Sequence, residues 1–186
     1  MKIVTILAGI FSMFFSKPQS TMAPQDHAKS KVSFYTLQAK TIEEQPFDFK
    51  SLKGKHVLIV NVASYCGYTN QYTDLEALYR QYQDRLVILA FPCDDFGGQE
   101  PGTNDEIKHF CESKFDITFT LMDKVSIKGD NMSPVYKWLT TPEQNGWNSA
   151  KPAWNFAKYL IDEKGELVGF YPSNVKPTSE EIVSKL

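Results

Sequence analysis

The sequence is poor in arginine and histidine, and each shortage excludes a class of function. Only two of its 20 basic residues are arginines, Arg80 and Arg85, so planar guanidinium clamps for phosphate groups are scarce. The 22 acidic residues give a formal net charge of −2, which is not the basic footprint of a nucleic-acid-binding protein. The three histidines, His27, His56 and His109, are too few and too scattered for a metal cluster. We therefore expect no nucleic-acid partner and no metal ion, and no organic cofactor is implied.

Cysteine is also scarce. The three cysteines, Cys66, Cys93 and Cys111, are an odd number with wide spacing, which excludes a small fold held together by disulfides. The chain has no C-x-x-C motif, and a disulfide reductase of the thioredoxin type needs that motif. Disulfide reduction through a paired-cysteine motif is therefore excluded as a function.

The main uncharged apolar run lies at the N-terminus. Residues 3–15 form this run after a single lysine, and they fall short of the ~20 residues that a membrane span needs. The small-residue site Thr21-Met22-Ala23 behind the run favours a secretory signal peptide over residues 1–23. An uncleaved N-terminal hydrophobic segment is the alternative. We expect an exported protein, periplasmic or secreted; a cytoplasmic or membrane-anchored protein is the alternative, with membrane contact only through this segment.

Two regions follow this segment. Residues 16–32 are rich in proline, serine and lysine, and the part that follows the predicted signal peptide, residues 24–32, is predicted to be a flexible lead-in. Residues 33–186 are long enough for one globular domain, and 42% hydrophobic and 13% aromatic residues over the whole chain supply a sizeable core. We expect this domain to be monomeric.

The first part of the domain predicts a hairpin and then a strand–helix–strand unit. Residues 33–39 and 44–49 alternate polar and apolar side chains, which predicts an N-terminal β-hairpin. Residues 57–62 and 86–91 are continuous apolar runs, typical of strands covered on both faces. A T-x-x-E capping box at residues 73–76 predicts the start of a helix between these strands, so the two strands should be parallel.

The second part of the domain predicts three helices and another hairpin. A capping box at residues 103–106 starts a helix that runs to about Lys114, and Ser133-Pro134 starts a short helix through Leu139. Residues 156–162 and 167–171 flank a Glu-Lys-Gly-Glu turn and predict a hairpin, before a terminal helix capped near Thr178. This order is typical of a thioredoxin-like α/β fold, in which helices flank a central mixed sheet.

Cys66 lies directly after the first buried strand and before the predicted helix. A helix N-terminus carries about half a positive charge and unpaired N–H groups. A thiol there loses its proton more easily, and the thiolate is the nucleophile. Gly67 lets the backbone pass close to the sulfur without a side chain in the way. The position favours a reactive cysteine, with a buried structural cysteine as the alternative.

Three blocks around this cysteine occur in a fixed order: NVASYCGYT at residues 61–69, FPCDDFGGQEPG at 91–102 and WNF at 154–156. Together they resemble the signature blocks of the glutathione peroxidase family, and the likeness runs from about Tyr35 to the C-terminus. The resemblance implies a peroxidase that reduces hydrogen peroxide or organic hydroperoxides in response to oxidative stress. It implies that Cys66 is the peroxidatic residue, and that Gln99, Trp154 and Asn155 are the other active-site residues.

The side chains implied by this resemblance suit the chemistry. The Gln99 and Asn155 amides and the Trp154 indole are neutral hydrogen-bond donors, which can stabilise a thiolate and a departing oxygen anion without a charged base. The reaction leaves a sulfenic acid on the cysteine. Each residue also has a structural alternative: Gln99 could hold the Gly-Gly loop, Trp154 could be a core aromatic, and Asn155 could cap a turn.

Cys111 resembles the resolving cysteine of the thioredoxin-dependent branch of the family. The resemblance implies a Cys66–Cys111 disulfide that a thioredoxin-like protein reduces. Because a disulfide needs Cα atoms within about 7 Å, we expect the helix that carries Cys111 to unwind after oxidation. A packed helix cysteine is the alternative, and Cys93 is interpreted as structural or as a backup resolving residue. Two other functions stay open: a glutathione-dependent peroxidase without an internal disulfide, and a non-catalytic redox-sensing or binding module. We also expect residues 141–153 to form a lid near Trp154.

Overall fold

A computed structural model describes residues 19–186 of the chain. Its centre is one six-stranded mixed sheet in the order β1-β6-β5-β2-β3-β4. The strands are β1 (Thr21–Met22), β2 (His56–Val62), β3 (Leu86–Pro92), β4 (Thr120–Leu121), β5 (Lys158–Ile161) and β6 (Leu167–Tyr171). The helices are α1 (Gln71–Tyr82), α2 (Asn104–Phe115), α3 (Pro134–Leu139), α4 (Pro142–Asn145) and α5 (Glu180–Val183). This architecture confirms the predicted thioredoxin-like α/β fold.

The two central strands form where the apolar runs predict them. β2 pairs in parallel with β3, in a register that runs from His56–Leu86 to Val62–Pro92, and α1 makes the connection between them. Every residue of β2 is buried, as expected for a strand with helices on both sides of the sheet. β5 pairs antiparallel with β2 on its other edge, so that the predicted C-terminal hairpin of β5 and β6 continues the sheet.

The two capping boxes of the sequence have different outcomes. At α2 the box is formed: the Thr103 side chain accepts from the Glu106 backbone N–H, and the Glu106 carboxylate accepts from the Thr103 backbone N–H. At α1 it is not formed, because the helix already begins at Gln71. Glu76 instead accepts hydrogen bonds from the Thr118 backbone and from Arg80. The prediction of the α1 start is therefore wrong.

The predicted N-terminal hairpin is reduced to a single antiparallel bridge between Lys40 and Pro46. Residues 33–39 do not form a strand; they contain one turn of 3₁₀ helix at Phe34–Thr36. The Phe34 ring is buried against Phe49 and Trp138, with ring centroids 5.3 and 5.4 Å apart. Burial of this ring in the core outweighs the alternating pattern that suggested a strand.

The segment before the domain also contacts the sheet and its loops. β1 lies within the predicted leader and pairs antiparallel with β6, whereas residues 1–18, which hold most of that leader, lie outside the described residues. In the predicted lead-in, Ser30 donates from its backbone and hydroxyl to Glu166, and the Val32 carbonyl accepts from the Trp138 indole at 2.7 Å. None of the helices within residues 19–186 is long and apolar enough to cross a bilayer.

Candidate active site

The sheet topology brings three segments to one edge of the sheet: the loop after β2, the loop after β3 and the segment before β5. β2 and β3 are parallel, so their carboxyl ends lie on the same side, and the loops that carry Cys66 and Gln99 leave from there. β5 runs antiparallel to β2, so the Trp154-Asn155 segment enters the sheet on that same side. This edge, outside the carboxyl ends of parallel strands, is where open α/β sheets place their binding sites.

Cys66 lies in the turn between β2 and α1 as a half-buried free thiol. The backbone N–H of Tyr68 donates to its sulfur, with an N–S distance of 3.4 Å. The Cys66 backbone N–H donates to the Thr69 hydroxyl, which in turn donates to the Ala63 carbonyl. Because α1 begins only at Gln71, Cys66 lies in the turn that precedes the helix. The Tyr68 N–H that donates to its sulfur therefore belongs to that turn and not to the first turn of α1.

Gln99 is held from two sides. Its backbone carbonyl accepts a hydrogen bond of 3.0 Å from the N–H of Tyr65, the residue before Cys66. Its side-chain oxygen accepts from the Asn155 amide at 3.1 Å, and Asn155 is fully buried. Within residues 19–186 the side-chain NH₂ of Gln99 makes no hydrogen bond, so it remains available as a donor. Asn155 thus uses its own donor to orient Gln99.

Trp154 is not a core aromatic. Its side chain is 39% exposed, its ring lies 6.0 Å from that of Phe96, and its indole N–H has no hydrogen-bond partner in the described part of the chain. Its backbone carbonyl accepts from the buried Asn61 amide at 3.1 Å. The Trp154 indole N–H is therefore a second donor that is not engaged elsewhere.

Asn61 is a positioning residue that sequence reasoning missed. It is fully buried in β2; its side chain bonds to the Trp154 carbonyl and to the Ala157 N–H, and its backbone carbonyl accepts from the Phe156 N–H. Phe156 has a positive φ of 65°, a conformation that needs support from its surroundings in a non-glycine residue. One polar residue within the apolar run of β2 is the sequence signal that could have revealed this role.

A glycine is needed at position 97, where the loop between β3 and α2 passes Trp154. Its φ is +72°, and a Cβ there would lie 3.4 Å from a Trp154 ring carbon and 3.7 Å from Cγ of Gln99. A left-handed backbone favours glycine, and the loop passes close to both side chains. The glycine lets Gln99 and Trp154 lie near each other.

The chain is similar to known proteins of one family. Residues 34–140 match the glutathione peroxidase family. A glutathione peroxidase-like peroxiredoxin of Chlamydomonas reinhardtii is 48% identical over 147 residues, covering 78% of this chain and 90% of that protein. The chain belongs to the glutathione peroxidase family.

Two further family members show how far the likeness extends. A hydroperoxy fatty acid reductase of Synechocystis is 41% identical over 158 residues, covering 81% of this chain and 92% of that protein. The crystal structure of Trgpx in apo form is 33% identical with a TM-score of 0.65, and covers 84% of this chain and 96% of that one. The likeness therefore spans nearly the whole length of these relatives.

In this glutathione peroxidase family member, Cys111 is fully buried in the core, unlike the half-buried Cys66. It is buried on the inner face of α2 and is a free thiol. Burial raises the pKa of Cys111 to about 12, against a smaller lowering by the Tyr72 hydroxyl beside it. Its neighbour Phe110 packs on Tyr65, the neighbour of Cys66, with ring centroids 6.4 Å apart. The two cysteines are thus carried by segments that touch.

Cys93 lies at the end of β3 and is fully buried. Its sulfur accepts a hydrogen bond from the Asp95 backbone N–H at 3.4 Å. Burial raises the pKa of Cys93 to about 12, so at neutral pH this thiol is protonated. Within the described residues, no group of three or more His, Cys, Asp or Glu side chains is placed to hold a metal ion.

A cavity of about 600 Å³ opens beside the Cys66 turn. Its lining includes Tyr68, Trp154, Phe170, Pro172 and Lys151, so its walls are mainly apolar, with one lysine. A larger cavity of about 800 Å³ is lined by residues between Tyr35 and Lys50 and by Pro134, and its lining does not include Cys66, Gln99, Trp154 or Asn155. The smaller cavity is the one that can take a substrate at this site.

The segment 141–153, predicted as a lid, is tied to the domain. It contains α4 and ends beside Trp154. The buried Asn145 side chain donates to the Trp138, Leu139 and Asn148 carbonyls and accepts from the Trp147 and Asn148 N–H groups. Such a saturated buried amide holds the segment in one conformation.

Proposed function

We propose that this protein is a thiol peroxidase that reduces hydrogen peroxide and organic hydroperoxides through Cys66. The observation that carries the proposal is a half-buried free thiol whose sulfur already accepts the Tyr68 N–H, in a turn whose Tyr65 N–H bonds to the Gln99 backbone. Gln99 and Trp154 both approach Gly97, and their side-chain donors have no other partner in the described residues. Neutral donors directed at one reacting atom are typical of sites that stabilise developing negative charge.

In the first step the Cys66 thiolate attacks the peroxide. A sulfur–oxygen bond forms as the O–O bond breaks, and the sulfur is oxidised to a sulfenic acid. The other oxygen leaves as water or an alcohol after taking up a proton. The Gln99 and Trp154 donors stabilise the negative charge on that departing oxygen, while Asn155 holds Gln99 by its side-chain oxygen.

In the second step Cys111 attacks the sulfenic acid and forms the Cys66–Cys111 disulfide. The step requires α2 to open, because Cys111 is buried and unpaired at rest. Only Ile107 and Cys111 are buried among the twelve residues of α2. Full burial of one aliphatic side chain contributes roughly 1.5–3 kcal/mol, so local opening of this helix costs much less than unfolding the domain.

A thioredoxin-like protein then reduces the disulfide by thiol–disulfide exchange. The presence of Cys111 favours this donor over glutathione. The name of the Synechocystis relative and the apolar walls of the 600 Å³ cavity support fatty-acyl hydroperoxides among the substrates. We further propose that the protein acts in oxidative stress as an exported monomer, with residues 1–23 as its signal peptide.

The test is steady-state peroxide consumption by the purified protein with thioredoxin and, separately, with glutathione. We expect Cys66→Ser to be inactive with either donor. Cys111→Ser should reduce about one equivalent of peroxide and then stall with thioredoxin, whereas the buried Cys93→Ser control should turn over. Peroxide consumption by Cys66→Ser would refute the peroxidatic role, and sustained thioredoxin-driven turnover by Cys111→Ser would refute the resolving role.

The donor and the location need their own measurements. Turnover with glutathione alone would identify a glutathione-dependent peroxidase. A protein that binds a partner equally well with and without the Cys66 sulfur, and consumes no peroxide, would be a binding module. Cell fractionation and the N-terminal sequence of the mature protein test the signal peptide, and sedimentation tests the monomer.

A further inference from the structure

Glu100 is a buried carboxyl group to which the steps above assign no role. It follows Gln99 and is fully buried. Its backbone N–H donates to Asp94 at 2.7 Å. Within the described residues neither side-chain oxygen has a hydrogen-bond partner of normal geometry, although Ser64 lies near enough to lower the pKa of the carboxyl group. Burying a carboxyl group without hydrogen-bond partners lowers stability, and a catalytic role is one reason for such a group to be present.

The position of Glu100 lies between the segments that carry the two reactive cysteines. A small cavity of about 40 Å³ is lined by Glu100, by Ser64 and Tyr65 from the Cys66 turn, and by Ile107 and Phe110 from α2. This volume is enough for a water molecule. The carboxyl group therefore faces both the turn of Cys66 and the helix of Cys111.

The charge of Glu100 changes the pKa values of the ionisable groups around it. A negative Glu100 raises the pKa of Cys111 and of the buried Tyr72 hydroxyl. Burial raises the pKa of Glu100 itself to about 7, opposed by Ser64 and Lys124 and reinforced by Asp94. Within the described residues, the ionisable groups around Glu100 are Asp94 on its own loop, Tyr65 in the Cys66 turn, Tyr72 on α1, Glu106 and Cys111 on α2, and Lys124 after β4. Near neutral pH the carboxyl group can both accept and return a proton.

We propose that Glu100 is the proton acceptor for Cys111 in the disulfide-forming step, an inference that rests on the proposed function. The buried Cys111 thiol is protonated at rest and cannot attack in that form. Before α2 opens, Glu100 takes the thiol proton, and the Tyr72 hydroxyl beside the buried sulfur stabilises the thiolate as it forms.

The step balances. The Cys111 sulfur bonds to the Cys66 sulfur as the sulfur–oxygen bond of the sulfenic acid breaks. The Cys111 sulfur is oxidised, the Cys66 sulfur is reduced, and the leaving hydroxide takes the proton from Glu100 to become water. Glu100 ends the step as the carboxylate that began it, so no further reactant is needed.

The test is Glu100→Gln in the full chain, which keeps the size of the side chain but cannot accept the proton. One equivalent of hydrogen peroxide is added without reductant, and mass spectrometry follows dimedone-trapped sulfenic acid and the disulfide over time. We expect unchanged sulfenic acid formation and disulfide formation that is slower by about 100-fold, the lower end of the range for general acid–base catalysis.

The matched control is Glu112→Gln. Glu112 also lies on α2 next to Cys111 and contributes to raising its pKa, but its side chain is 54% exposed. We expect this variant to form the disulfide at the wild-type rate. The wild-type rate should rise with pH and level off above about 7, while that of Glu100→Gln should keep rising beyond this pH.

Equal rates and equal pH profiles for the two variants would overturn the role of Glu100. If Glu100→Gln does not fold, the wild-type profile decides, because a rate without an inflection near neutral pH overturns it as well. The Cys111→Ser variant distinguishes a failure of the proposed peroxidase function from a failure of the Glu100 role. Lasting sulfenic acid on Cys66 in that variant supports the proposed function, and its absence would refute that function and this role together.

Discussion

Replacing the buried Lys158 by methionine should remove a pH dependence from the stability of the protein. Lys158 lies in β5 and is fully buried; its ammonium group donates to the Gln71 side chain and to the Val175 carbonyl. Burial lowers the pKa of Lys158 from 10.5 to about 7, because an ammonium group is poorly solvated in the core.

The sign and size follow from this shift. Between pH 7 and 10.5 the unfolded chain binds more protons at Lys158 than the folded chain does, so this group makes stability rise with pH. Each unit of pKa difference corresponds to about 1.4 kcal/mol, which gives about 5 kcal/mol across the whole interval. Between pH 7 and 8.5 the expected gain is about 1.5 kcal/mol.

The assay is urea unfolding, followed by tryptophan fluorescence, at several pH values from about 7 to 8.5. In this interval the raised pKa values of Cys93 and Cys111 have little effect, since they lower stability only as the pH passes the usual thiol value near 9. The free energy of unfolding of the wild type minus that of Lys158→Met should rise by about 1.5 kcal/mol. Lys176→Met, at an exposed position, should show no such slope. A difference that is flat with pH, or one that falls, would refute the reasoning.

Three further changes test the loop that carries Gln99, the helix α2 that is proposed to open, and the core. Gly97→Ala places a Cβ on a backbone with φ +72° beside Trp154; we expect a loss of about 1–2 kcal/mol by urea unfolding and slower sulfenic acid formation, and an unchanged peroxide rate would contradict this. Thr103→Ala removes the α2 cap and should cost about 1 kcal/mol, with faster amide exchange in α2 and disulfide formation that is no slower. Leu58→Ala empties a fully buried position in β2 and should cost about 2–5 kcal/mol; a smaller loss in urea unfolding would mean that the core closes around the cavity.

The parts of the fold that depend on local chemistry could be predicted from the sequence. The strands β2 and β3 follow from their apolar runs, and the start of α2 follows from a reciprocal cap within four residues. The N-terminal hairpin could not be predicted correctly, because Phe34 gains more from packing on Phe49 and Trp138 than from an alternating strand. Such a choice depends on residues distant in the chain, which a local pattern does not contain.

The candidate site shows the same division. The blocks around Cys66, Gln99 and Trp154 are specific enough to predict the family, which the comparisons confirm, and to suggest which residues carry the proposed chemistry. The residues that hold these side chains in place do so through contacts between distant parts of the chain. Asn61 donates to the Trp154 carbonyl, and Asn155 donates to the Gln99 side-chain oxygen. Side chains that act through a partner elsewhere in the chain have no spacing from which their role can be read.

Because α2 buries few side chains, the two steps of the proposed catalytic cycle could depend on separate parts of the fold. Cys66, Gln99, Trp154 and Asn155 all hang from the ends of β2, β3 and β5, and only two side chains of α2 are buried. In the proposed cycle, α2 can then open and close repeatedly to bring Cys111 to Cys66, while the residues proposed to reduce the peroxide keep their positions. The same partition would let evolution or an engineer exchange the resolving segment, and with it the reductant, without rebuilding the centre that meets the peroxide.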